Sequence, residues 1–142
     1  MSRRTFAGAW EYLLEDAIFT APPNRTFTGA ALLDENGELV GIGSLFVGDA
    51  AARGQTLAGN MFVPIDALKP ILGDLIAFER RDGPSRPWLG LYPDQVRGRV
   101  FVTRVAPESP AKQAGIEPSD MVISVAGTAV LDMPGYFRQL WH

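Results

Sequence analysis

Side chains able to do covalent or acid–base chemistry are few and scattered in this sequence. There is no cysteine, which rules out a thiol nucleophile, a disulfide and a zinc–thiolate site and leaves the redox compartment unspecified. The single histidine is His142, the last residue. No grouping of His, Asp and Glu has metal-ligand spacing, so no metal and no other cofactor is expected. Gly41-Ile42-Gly43 lacks the third glycine of a phosphate-binding loop and falls in a predicted hairpin strand. Asp34 and Glu35 read as solvated turn residues. Hydroxyls are plentiful, but near neutral pH an aliphatic hydroxyl needs a base to take its proton, and that assistance is typically worth about 10²- to 10⁴-fold. Here the only imidazole sits at the end of the chain.

Composition narrows the partners. The 142 residues are 46% hydrophobic and 20% charged, enough for one full domain or two small ones, and the formal net charge is -3. Mild acidity argues against nucleic acid and anionic membranes, both of which favour clustered Lys and Arg. No apolar run approaches the roughly 20 residues of a membrane span, so no membrane insertion is expected. Ser2-Arg3-Arg4-Thr5-Phe6-Ala7 superficially resembles a twin-arginine leader, yet Glu11, Glu15 and Asp16 interrupt the uncharged segment that must follow. No export signal is expected in this polypeptide.

The elements follow from periodicity and breakers. Phe6, Trp10, Leu13, Leu14, Ala17 and Ile18 recur at helical spacing and predict an amphipathic helix over 6–18, although Trp10, Tyr12 and Leu14 also alternate as in a strand. Ala21-Pro22-Pro23-Asn24 breaks the chain, and a loop runs to about Thr28. Two apolar runs, Ala30 to Leu33 and Glu38 to Gly43, flank Asp34-Glu35-Asn36-Gly37, whose Asn-Gly favours a hairpin turn. A surface loop with charges at Asp49 and Arg53 spans 47–59, then a strand from Asn60 to Pro64. Asp66 is the predicted N-cap of a helix over 67–78 that holds Pro70 in its first turn. The charged, breaker-rich stretch from Glu79 to Pro87 marks a domain boundary. Beyond it Val100 to Val105 reads as a strand. Ser109 caps a short helix, Pro110 suits its first turn and Gly115 ends it. Pro118-Ser119-Asp120 turns the chain into the strand Met121 to Val125, closed by Ala126-Gly127, and 132–141 is an amphipathic helix with Tyr136, Phe137, Leu140 and Trp141 on one face.

Trp88-Leu89-Gly90-Leu91, Ser109-Pro110-Ala111-Lys112-Gln113-Ala114-Gly115 and Asp120 to Val130 together resemble a PDZ domain of the kind that follows bacterial HtrA-like serine proteases, with Ser119 where that family usually has Gly. The resemblance implies that Leu89, Gly90 and Leu91 hold a peptide's C-terminal carboxylate and begin the strand that receives it. It also implies that Tyr136, Phe137 and Leu140 form the other groove wall or fill the core. Upstream, Thr28-Gly29-Ala30-Ala31 through Gly43 resembles the nucleophile loop and following hairpin of the same family's trypsin-fold protease, and Asn60-Met61-Phe62-Val63-Pro64-Ile65 its last strand. This similarity favours extended structure around Tyr12 to Leu14. It puts Thr28 at the position of the nucleophilic serine and gives the amides of Thr26 and Thr28 oxyanion roles, while Ala30 and Ala31 replace a Gly and the Pro, and Thr26-Phe27 replaces Gly-Asn. The extra methyl of threonine restricts χ1 and crowds the attack.

The implied fold class is mainly β with short helices: half of a trypsin-like β-barrel over 1–79, a linker over 80–87, and a C-terminally incomplete PDZ-like α/β unit over 88–142. The implied function is that of an HtrA-like serine endopeptidase relative of the protein-quality-control type. Its partners would be peptide or unfolded-protein C-termini, homo-oligomers are compatible with it, and a periplasmic or envelope location is implied. The family's His and Asp belong to a barrel half not represented in these residues, and neither Lys69 nor Lys112 is placed to replace them. The chain alone is therefore expected to be catalytically inactive. A non-catalytic PDZ peptide-binding module is the alternative, and a purely structural two-unit protein is a third reading. The PDZ family continues past the last helix into a further strand, so the unit is expected to be loose or to depend on another chain.

Overall fold

The computed structural model describes residues 1–51, 57–83 and 85–141; Arg53, the linker residue Pro84 and His142 lie outside the described residues. The chain is mainly β with short helices and divides into two compact units, one of residues 1–5 and 14–84, the other of residues 6–13 and 85–142. The segment Phe6–Leu13, which the sequence reading grouped with residues 1–79, thus packs with the second unit.

A five-stranded sheet is built from β1 (Ser2–Gly8), β2 (Tyr12–Thr20), β3 (Ala31–Leu33), β4 (Leu39–Val47) and β5 (Gly59–Pro64), in the order β1-β2-β5-β4-β3. The helix predicted over 6–18 does not form. Two residues inside that span, Glu11 at φ 58 and Asp16 at φ 56, are left-handed, which an α-helix does not accommodate. Ala17, Ile18 and Phe19 are buried in succession, with Ile18 opposite Phe62 and Phe19 opposite Met61 on β5. Apolar burial against a sheet neighbour, worth about 1.5–3 kcal/mol per large side chain, outweighs the helical spacing.

The β3–β4 hairpin closes through Asp34. Its carboxylate accepts the amides of Asn36 and Glu38, each at 2.9 Å, and Gly37 is left-handed at φ 80. These amides, led by that of Glu38, hold the Asp34 carboxyl below its ordinary value. The helix predicted over 67–78 is shorter than expected. Ile65–Ala67 and Lys69–Ile71 form single 3₁₀ turns, and only α1 (Leu72–Phe78) is α-helical. Pro70 lacks the amide and crowds the preceding turn, which prevents a continuous helix. Asp66 caps nothing; it pairs with Lys69 Nζ at 2.7 Å.

In the second unit, β6 (Leu91–Val96) and β7 (Arg99–Val105) pair antiparallel about a turn with Arg97 at φ 50 and Gly98 at φ 76. α2 (Pro110–Gln113) follows, capped by Ser109 as expected. The strand predicted from Met121 to Val125 is realised as a Phe101–Met121 bridge, a Val122 amide on the Val100 carbonyl, and the two-residue β8 (Ser124–Val125), paired with β9 (Thr128–Ala129). α3 (Met133–Leu140) starts at Asp132, whose carboxylate accepts the Gly135 amide at 2.6 Å. One core cluster joins Val100, Met133, Tyr136 and Phe137, with Ala7 and Leu13 against it; another joins Leu91, Val102 and Ala111, with Leu89 and Ile116.

Candidate functional site

The loop that carries Thr28 hangs from β5. The buried Asn60 accepts the Asn24 amide at 2.6 Å, and Asn24 in turn accepts both the amide and the hydroxyl of Thr26 at 3.0 and 3.1 Å. Thr28 then sits in a tight turn in which the Ala30 amide meets the Phe27 carbonyl at 2.9 Å and Gly29 is left-handed at φ 72. Gly43 of β4 lies under this turn. A Cβ there would stand 1.7 Å from the Phe27 oxygen, so only glycine lets the loop seat on the strand.

Thr28 is exposed, and its hydroxyl has no hydrogen-bond partner, and so no contacting base, among the described residues. The Thr26 amide is already committed to Asn24. Lys69 supplies no base, because its bond to Asp66 holds its ammonium above the ordinary lysine value and thus protonated.

Residues Leu89, Gly90 and Leu91 form a second arrangement. Gly90 is left-handed at φ 75, and a Cβ on it would stand 2.3 Å from Ser109 Cβ. The Leu89 carbonyl accepts the Ala111 amide at 3.0 Å, and the Gly90 carbonyl accepts that of Ala106 at 2.8 Å. Ser109, fully buried, ties the same corner together: its hydroxyl donates to the Ala106 carbonyl at 2.7 Å and accepts the Lys112 amide at 3.2 Å. With its two carbonyls fixed, the loop leaves the Gly90 amide to donate to Glu11 Oε1 at 3.2 Å.

A cavity of about 320 Å³ opens here, lined by Trp10, Glu11, Trp88, Gly90, Leu91 and Tyr92. A second, of about 400 Å³, is mostly apolar, and Leu89, Leu91, Val102, Ile116 and Tyr136 are among its lining. β6 pairs only with β7 among the described strands, so its other edge is unpaired, and at its far end Gln95 Oε1 accepts the Met133 amide of α3 at 3.1 Å.

Of the wall residues predicted on α3, Tyr136 is buried and lines the larger cavity. Its hydroxyl has no partner among the described residues. Burial, and then the Glu11 charge, push its phenol up to about 12. Phe137 is fully buried and stacks on Trp141 at 4.9 Å, which makes it core; Leu140 is half-buried against the same cluster. Sequence reasoning missed Trp10 and Glu11. They precede Gly90 by about 80 residues, and no local pattern joins them to it.

Residues 101–140 match the PDZ domain family. The chain is 30% identical to the protease Do-like 14 of Arabidopsis thaliana, in an alignment covering 87% of this chain and 30% of that one. It is 33% identical to the serine endoprotease DegS of Haemophilus influenzae, covering 72% of this chain and 30% of the relative. The chain is a relative of the HtrA-like serine proteases. Among solved structures, that of an HtrA-type protease, an AlgW variant with a decapeptide, aligns with a TM-score of 0.48 at 16% identity, covering 96% of this chain and 46% of the other. The chain spans about 30% of the length of these curated HtrA-like relatives. Among the described residues, no helix is long and apolar enough to cross a membrane, and no group of three or more His, Asp and Glu is placed to hold a metal ion.

Proposed function

We propose that residues 88–142 form a PDZ-type unit that binds the C-termini of peptides or unfolded proteins, and that the 142-residue polypeptide by itself does not hydrolyse them. In this reading 80–87 is a linker, and 1–79 corresponds to the second half of a trypsin-type barrel with Thr28 at the nucleophile position. The observation that carries the binding half is β6: one edge is unpaired among the described strands, and it follows a left-handed glycine, Gly90, that lines a cavity together with two exposed tryptophans, Trp10 and Trp88. An extended peptide adds to such an edge through main-chain hydrogen bonds, while its terminal carboxylate takes the loop amide and its last side chain enters an apolar pocket. The cavity lined by Leu89, Leu91 and Tyr136 is that pocket. The inactive half rests on Thr28, whose hydroxyl meets no proton acceptor among the described residues.

The test is calorimetry on residues 1–142 with a peptide ending in an apolar residue and a free carboxylate, beside its C-terminally amidated twin. Saturable binding of the acid, about tenfold tighter than the amide, is expected from a charge-assisted hydrogen bond. Equal affinity removes the carboxylate loop, and no binding of either peptide removes the module. Altering the ligand rather than Gly90 matters, since any side chain at Gly90 would collide with Ser109 and report folding instead. Cleavage of casein by the same protein, abolished by Thr28→Ala, would overturn the inactive assignment.

A further inference from the structure

The Gly90 amide, the donor on which the binding reading rests, is already taken by a carboxylate of the chain itself. Glu11 stands in the turn between β1 and β2 at φ 58, and its Oε1 accepts that amide at 3.2 Å. The turn that presents it is well braced. The Trp10 ring stacks on Tyr12 at 6.1 Å and 28°, Phe6 approaches both rings at 6.3 and 6.0 Å, and a Cβ on Gly8 would sit 3.0 Å from the Trp10 ring. Ala7 and Leu13, on either side of the turn, pack against the α3 cluster. The segment is therefore an integral part of the second unit, and its one acid points at the loop.

We infer that Glu11 is a built-in occupant of the carboxylate loop, a side-chain carboxylate standing where a peptide's terminal carboxylate must bind, so that ligands compete with it. One N–H directs a single strong hydrogen bond, and two carboxylates brought to the same donor repel each other, the more so where water is partly excluded. A ligand must first displace the Glu11 side chain, and its apparent affinity falls by the fraction of molecules in which the amide is free. The same contact favours ligands whose apolar side chain compensates for that displacement, which makes Glu11 a filter on affinity.

This inference rests on the proposed peptide binding, while amide exchange at Gly90 tests the Glu11 contact independently of it. Glu11→Asn suits the left-handed backbone, removes the charge and is one methylene too short to reach; Glu11→Gly is the second variant should Asn alter the turn. Both are compared with the unaltered 142-residue protein by calorimetry with the free-acid and amidated peptides, and by amide hydrogen exchange at Gly90. The expected result is about tenfold tighter binding of the free acid to both variants, no gain for the amidated peptide, and faster exchange at Gly90. Unchanged free-acid affinity overturns the inference, as does an equal gain for both peptides. If no protein binds either peptide, the binding reading falls, and Gly90 exchange alone decides: faster in the variants supports the Glu11 contact, unchanged exchange discards it.

Discussion

Ser119 shows how a single residue can depart from a family pattern and what that costs. It stands at φ 80, its amide on the Val102 carbonyl at 2.7 Å, in a backbone conformation that glycine adopts freely and serine does not. Its side chain is exposed. Ser119→Gly should therefore stabilise the second unit by about 0.5–1 kcal/mol, seen as a higher urea midpoint at unchanged slope. Tyr136 offers a second test. Its buried hydroxyl has no partner among the described residues, so Tyr136→Phe should be neutral or stabilising by up to about 1 kcal/mol near pH 7. With the folded phenol pushed up to about 12 by burial and then by Glu11, the native state keeps its proton where the unfolded chain has lost it. Stability is thus fully present below about pH 10 and declines towards pH 12, by up to about 2–3 kcal/mol. Urea unfolding at pH 9 and pH 11 should show that decline in the unaltered protein and a smaller one in Tyr136→Phe.

At the scale of elements, the helix caps decide where the candidate site is held. Ser109 caps α2 and, through Ala106, fixes the corner on which Gly90 turns, so Ser109→Ala removes a cap and a buried hydrogen bond together. A loss of about 1–3 kcal/mol is expected, measured by thermal unfolding. Asp132→Ala removes only the α3 cap and should cost about 1 kcal/mol. The Ser109 cap was legible in the sequence, because Ser-Pro before a short helical pattern satisfies amides that no helix can satisfy for itself, whereas the Asp132 cap came only with the structure. The hairpin at Asp34 to Gly37 was legible for a similar reason. Over 6–18 helical spacing competed with strand alternation, and the extended structure that the resemblance favoured around Tyr12 to Leu14 is what forms, as part of β2 paired with β5; in 67–78 Pro70 divided the predicted helix.

For the whole molecule, the assignment of residues 6–13 to the second unit is the least local fact in the structure. Leu13 packs on the cluster of Val100, Met133, Tyr136 and Phe137, so Leu13→Ala should raise hydrogen exchange within α3 while leaving β3 and β4 unaffected. Equal protection of α3 in both proteins would contradict that packing. The sequence by itself determined the local devices: the turn at Asn36-Gly37, the cap at Ser109, the order of motifs shared with HtrA-like proteases, and the single histidine at position 142. These depend on residues within a few positions of one another, where backbone sterics and one hydrogen bond suffice. Only the tertiary structure decided that 6–18 folds as two strands about a turn at Glu11, that Phe137 is core, and that Glu11 meets Gly90, because each depends on a partner far along the chain, chosen by which surfaces can be buried together rather than by neighbouring residues.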